Sequence, residues 1–133
     1  MASELRVNTL KDAAGANSVA MEYVAGGSAK AWVNYDQRAP AVRNSFNVSS
    51  ATDVSTGIGT MNWTNSFSNA TYSPVVMGDA DATSHWTSAS TRSTLTGANA
   101  VFTTSAHQFI MHNIGGSVID SYYITGQYLG DLA

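Results

Sequence analysis

The side chains able to do chemistry are few and scattered. The three histidines are His85, His107 and His112. His107 and His112 stand five apart in a segment that alternates like a strand, which sends them to opposite faces and denies them a shared metal ion. The run Asp79-Ala80-Asp81-Ala82-Thr83 sets three oxygen side chains at alternate positions, as the start of a calcium loop does. Ser84, however, stands where that loop needs Gly, and Ser90 where it needs a bidentate Glu. A solvated loop with Asx turns is the expectation there. Glycoside hydrolysis would need two carboxylates about 5–10 Å apart with one kept protonated. Asp79 and Asp81 are the one close pair in a loop, and nothing around them favours a proton on either. No G-x-S-x-G elbow accompanies any of the 17 serines. Gly57-Ile58-Gly59 runs into a strand rather than a helix, so it is no phosphate loop. The chain reads as a non-enzyme without metal or cofactor.

Recognition is better represented. Trp32, Trp63, Trp86, Tyr122, Tyr123 and Tyr128 sit among small polar residues, a setting shared by sugar-binding surfaces and protein interfaces. Trp86 lies with Asp79, Asp81, His85 and Arg92 in the polar stretch 78–98. Those five residues are the candidate surface-recognition group. Trp32 and Trp63 are expected to be buried, in the core or against another subunit.

These side chains must be positioned by strands. The 133 residues suffice for one domain. Charged residues make up 11 %, against roughly 25 % in an average soluble domain. Thr, Val and aromatics favour strands, while Gly, Asn and Ser supply turns. A mostly β, antiparallel sandwich or jelly-roll-like domain over 29–133 is expected, preceded by an extended arm over 1–28. Within the arm, SELRVNTL and SVAMEYV read as extended pieces around the turn KDAAGAN, and Gly26-Gly27-Ser28 as a hinge. Strands are expected at 29–36, 41–49, 58–65, 71–77, 99–104, 107–114 and 117–128, with 78–98 a long exposed loop. Six Lys and Arg spread singly offer no stripe for nucleic acid. No apolar run is long enough to span a membrane, and no apolar leader opens the chain. Zero cysteines fit synthesis in a cytoplasm. Three glycosylation sequons, at Asn47, Asn62 and Asn69, read as coincidences of an Asn/Ser/Thr-rich chain.

Several stretches occur in a telling order: SELRVNTLKDAAGANSV, AKAWVNYD, SFNVSSATD and GIGTMNWTNSFSNATY. Together they resemble a group of small bacteriophage tail-fibre-type proteins common in phages of cyanobacteria and other aquatic bacteria. The shared elements fall at Ala29–Tyr35, Arg43–Asp53, Gly57–Trp63 and Asn69–Tyr72, within the first 77 residues. Gln37-Arg38-Ala39-Pro40 replaces the family's Gly/Thr turn. The resemblance implies a virion protein, a homotrimer, without enzymatic activity. Its arm, residues 1–28, would hold other virion proteins, and its β-domain would face the host surface and possible glycan there. The alternative is a capsid decoration protein at three-fold positions, without host binding.

The stretch AKAWVNYD carries large groups on both faces: Ala31, Val33 and Tyr35 on one, Trp32 on the other. In a trimer the first set would line the core and Trp32 the neighbour. Leu5, Val7, Val19 and Met21 join Trp32 as candidate subunit-interface residues.

Overall fold

The computed structural model describes residues 6–78, 102–113 and 115–133 in full, and 88–91 as backbone. The arm is not a plain extended segment. Strands β1 (Thr9–Lys11) and β2 (Ser18–Ala20) form an antiparallel hairpin in which Leu10 faces Val19. Asp12 shapes its loop: its carboxylate accepts from the Ala16 backbone N–H at 2.9 Å and from the Asn17 amide at 2.6 Å, while Gly15 supplies φ 70°. The stretch expected to stay extended then becomes helix α1 (Met21–Gly27). No side chain caps its start. At its end the Ser28 hydroxyl donates to the Val24 carbonyl and the Lys30 ammonium to the Ala25 carbonyl. These are the terminal carbonyls that a helix leaves without partners. Gly26 and Gly27 belong to this last turn rather than to a free hinge.

The remaining strands are β3 (Ala29–Asp36), β4 (Ala41–Phe46), β5 (Val48–Ser55), β6 (Ile58–Trp63), β7 (Ser73–Gly78), β8 (Ser88–Thr91), β9 (Ala106–His112) and β10 (Ile124–Leu129). They form one antiparallel sheet in the order β4-β3-β10-β7-β8-β9-β6-β5. The two outermost strands, β4 and β5, are consecutive in the chain and joined only by Asn47, whose φ is 57°. Asn47 accepts from the Asn65 N–H at 2.7 Å, and its amide donates to the Asn65 carbonyl at 3.0 Å. That exchange fixes a left-handed conformation which Asn tolerates better than most residues.

With its ends brought together, the sheet curls. Trp63 on β6 and Tyr128 on β10 lie four strands apart in the order, about 19 Å if the sheet were flat. Their ring centroids are 4.5 Å apart. The inner face is read off by alternation: Ala31, Val33 and Tyr35; Met61 and Trp63; His107, Phe109 and Met111; Ile124 and Tyr128. All are buried, and all but His107 belong with Phe67 and Tyr72 to a single apolar core. The tail is pinned beside Phe67, with Ser68 N–H donating to Asp131 and Ala133 N–H to Ser66.

The strands expected at 29–36, 58–65, 71–77 and 107–114 are present with small shifts of boundary. Four departures stand out. The expected 41–49 is cut at Asn47. β5 follows immediately, a strand whose residues are mostly exposed and which owes its place to pairing with β6. Residues 88–91 of the expected loop form β8, spliced between β7 and β9. Of 117–128 only the end is a strand, because Asp120 turns to accept from the Gly57 N–H at 2.5 Å and the Ser121 carbonyl accepts from Gln37 N–H at 3.1 Å. Over 99–104, the described part holds only a bridge from Phe102 to His107.

Gly57 has no room for a side chain. Its φ is 67°, and a Cβ there would strike Val118 and lie 2.8 Å from the backbone N and O of Ile119. Gly57→Ala combines left-handed strain with overpacking and is expected to destabilise by about 2–4 kcal/mol, read as a lower urea midpoint at unchanged slope.

Candidate interaction surfaces

The histidine pair separates as its spacing requires. His107 is buried on the inner face, its Nδ1 3.2 Å from the Tyr128 hydroxyl and its ring stacked on Phe102 at 4.8 Å. Burial pushes its pKa down to about 4, and pushes the Tyr128 hydroxyl up. His107 is a neutral core side chain at pH 7. His112 stands on the other face, with Nδ1 3.3 Å from the Gly116 carbonyl. Among the described residues, no three His, Cys, Asp or Glu converge as metal ligands. None of the described helices is long and apolar enough to cross a membrane. Asp79, Asp81, His85, Trp86 and Arg92 lie outside the described residues, as does Leu5.

The two other tryptophans part company. Trp63 is in the core, in edge-to-face contact with Phe67, Tyr72 and Tyr128. Trp32 is on the outer face of β3, opposite Phe46 on β4 and Gln127 on β10, and Gln127 in turn faces Val75 on β7. One register step along, Asn44, Asn34, Thr125 and Met77 form a second row across the same four strands. Phe46, Val75 and Met77 are exposed. A shallow groove of about 180 Å³ runs between β10 and β7, lined by Val75, Met77, Thr125, Gly126 and Gln127. Of the interface residues expected on the arm, Val7 and Val19 are exposed and Met21 is half-buried. No residue from 6 to 28 is buried.

A second cluster escapes sequence reading. Arg43 stands at a bulge between β3 and β4. Its guanidinium lies 4.2 Å from the ring centre of Tyr122 and 4.0 Å from that of Tyr123, and donates to Asp36 Oδ2 at 2.6 Å. Asp36 also accepts from the backbone N–H groups of Arg38 and Ala39 at 3.0 and 3.1 Å, shaping the turn made by Gln37-Arg38-Ala39-Pro40. Tyr122 and Tyr123 are visible in the sequence as paired aromatics. Their cation partner comes from a distant strand and is fixed by the bulge. The cluster ties 119–123 to the β3–β4 turn and leaves both rings partly exposed.

Comparison with known families, curated proteins and solved structures finds no match for this chain.

Proposed function

We propose that the chain is a structural protein of a bacteriophage particle, of tail-fibre type and without enzymatic activity. Its arm docks on other virion proteins or on neighbouring copies, and its curled β-domain, assembled as a homotrimer, is presented to the host surface. The observation that carries this reading is the arm itself. It is folded into a hairpin and a helix, yet none of its described residues is buried, and Val7, Leu10, Val19 and Tyr23 are all exposed. A lone two-stranded hairpin is marginal in water. So is a helix shorter than about 12–15 residues. Both become stable once their apolar residues lie on another surface. The four pattern elements that resemble phage fibre proteins fall on β3, on the Asn47 junction, on β6, and on a segment ending at the buried Tyr72; a further resembling stretch lies in the arm.

Removing residues 1–24 is expected to leave a folded β-domain, with far-ultraviolet dichroism typical of strands, that no longer joins the particle. Incorporation of the shortened chain at the level of the full one would refute the anchoring role. Immunogold labelling of intact particles then locates the protein. Label at the tail end supports host attachment, whereas label spread over the head makes it a capsid decoration protein.

A further inference from the structure

The mouth of the curled sheet farthest from Asn47 gathers oxygen-bearing side chains from three separate segments. Tyr35 is on the inner face of β3, paired with Ile124 of β10. Gln37 lies just past the end of β3, and its backbone N–H donates to the Ser121 carbonyl. β3 and β5, far apart in the strand order, come into contact as the sheet curls. On β5, Ala51 packs against the core and pairs with the buried Met61. Two residues on, Asp53 pairs with Gly59 and therefore turns to the same inner side. Asp120 is fastened beside them by the N–H of Gly57, two residues from Gly59.

Three of these side chains are almost wholly buried: Tyr35 and Gln37 are 1 % exposed and Ser121 2 %. Among the described residues, the two hydroxyls and both ends of the Gln37 amide have no hydrogen-bond partner. Folded proteins rarely leave such groups unmet. The charges around them indicate what would meet them. Burial, and then the carboxylates of Asp53, Asp120 and Asp36, push the Tyr35 hydroxyl up to about 12. Asp36 is engaged by the Arg43 guanidinium at 2.6 Å. Asp53 and Asp120 give the mouth its negative potential.

We propose that this mouth binds a hard divalent cation, calcium rather than magnesium, through Asp53, Asp120 and the neutral oxygens of Tyr35, Gln37 and Ser121. The inference stands apart from the phage reading and from any oligomeric state.

The donor set decides the ion. Every candidate ligand is an oxygen, which suits calcium or magnesium and not the metals that prefer imidazole or thiolate. Calcium accepts about six to eight oxygens in a flexible arrangement and mixes carboxylates with neutral donors. Magnesium demands a near-octahedral shell and gives up its water reluctantly. Oxygens drawn from three segments of backbone fit the first requirement better than the second. Two carboxylates make a weak site, in the class with Kd of about 10⁻⁴–10⁻³ M. A bound ion would tie β5 to the end of β3 and to residues 120–121. It would thus brace the seam where β3 and β5 meet without a ladder of hydrogen bonds.

The test uses the full chain, freed of metal by a chelator, and follows calcium chloride binding by calorimetry and by the melting temperature. About one calcium ion per chain is expected, with a Kd of about 10⁻⁴–10⁻³ M and a melting temperature that rises with calcium. Magnesium chloride at the same concentration should raise it far less. Asp53→Asn and Asp120→Asn should each weaken calcium binding at least tenfold. Asp53 is exposed, and Asn at 120 keeps an oxygen for the Gly57 N–H, so both variants should keep the parent's far-ultraviolet dichroism. Asp79→Asn with Asp81→Asn, in the other stretch that opens like a calcium loop, should leave binding unchanged. Absence of saturable binding up to about 10 mM calcium, well above that Kd range, overturns the proposal. So does binding that survives both Asp53→Asn and Asp120→Asn, or that is lost with Asp79 and Asp81. Equal melting shifts from calcium and magnesium in parent and variants alike would reduce the effect to screening of the net charge, and would overturn it too.

Discussion

Phe109→Ala is expected to cost about 3–5 kcal/mol of stability, at the upper end of the scale for a buried ring. The reason is the residue opposite. Phe109 on β9 is fully buried and pairs with Gly59 on β6, where a Cβ would lie 2.5 Å from the Phe109 Cζ. The ring fills the space a side chain at 59 would otherwise take. When the ring is removed, the facing strand has no side chain with which to collapse into the void. With a urea slope of about 1–3 kcal/mol/M, a loss of 4 kcal/mol lowers the midpoint by about 2 M. A loss below about 1 kcal/mol would mean that the sheet does not curl tightly here.

Acid should weaken the fold through His107. Its pKa is lowered by burial from 6.5 to about 4 in the folded protein. Between those values the unfolded chain binds a proton that the folded one refuses. The contribution is therefore fully present above about pH 6.5 and declines as pH falls. About 3 kcal/mol has been lost once the pH is below 4. Urea unfolding at pH 7.5, 5.5 and 4 measures the decline, and His107→Leu separates it from the carboxylates. That variant leaves the Tyr128 hydroxyl without its partner, so it should be less stable than the parent at pH 7.5. It should lack the extra acid sensitivity, and the two curves should approach each other towards pH 4. Parallel curves would show that His107 takes up its proton without opening the core.

The legibility of the chain differs from element to element. AKAWVNYD is clear in the sequence because its inner set, Ala31, Val33 and Tyr35, alternates strictly, and all three are buried. The two His residues of β9 are clear for the same reason. VSSATDVS carries no apolar alternation, because β5 is an edge strand exposed along most of its length, and its pairing with β6 alone reveals it. SVAMEYV alternates by chance through Val19, Met21 and Tyr23, while only Ser18–Ala20 remains extended. The rest winds into a seven-residue helix without a side-chain N-cap. The outer face was half visible. Trp32 stands out as an aromatic on the polar side of a strand, and the sequence suggests an interface there. Its companions Phe46, Val75 and Met77 come from separate strands brought alongside by register, which no local pattern encodes. The Arg43 cluster is hidden in the same way, since a bulge decides where that guanidinium points.

β10 is the last of the described strands, yet it lies inside the sheet, hydrogen-bonded to β3 on one edge and to β7 on the other. During synthesis, the β3–β4 and β5–β6 hairpins have all their residues early. The strand that joins the first hairpin to the rest of the sheet leaves the ribosome only with Ile124–Leu129. Until then Val33 and Tyr35 have no covering partner from β10, and β3 and β7 each present an unpaired edge to other nascent chains. Long-range pairings of this kind close slowly and leave aggregation-prone edges open meanwhile. Loss of residues 124–133 would remove two ladders at once, so chains cut before Ile124 should yield aggregates rather than shortened domains.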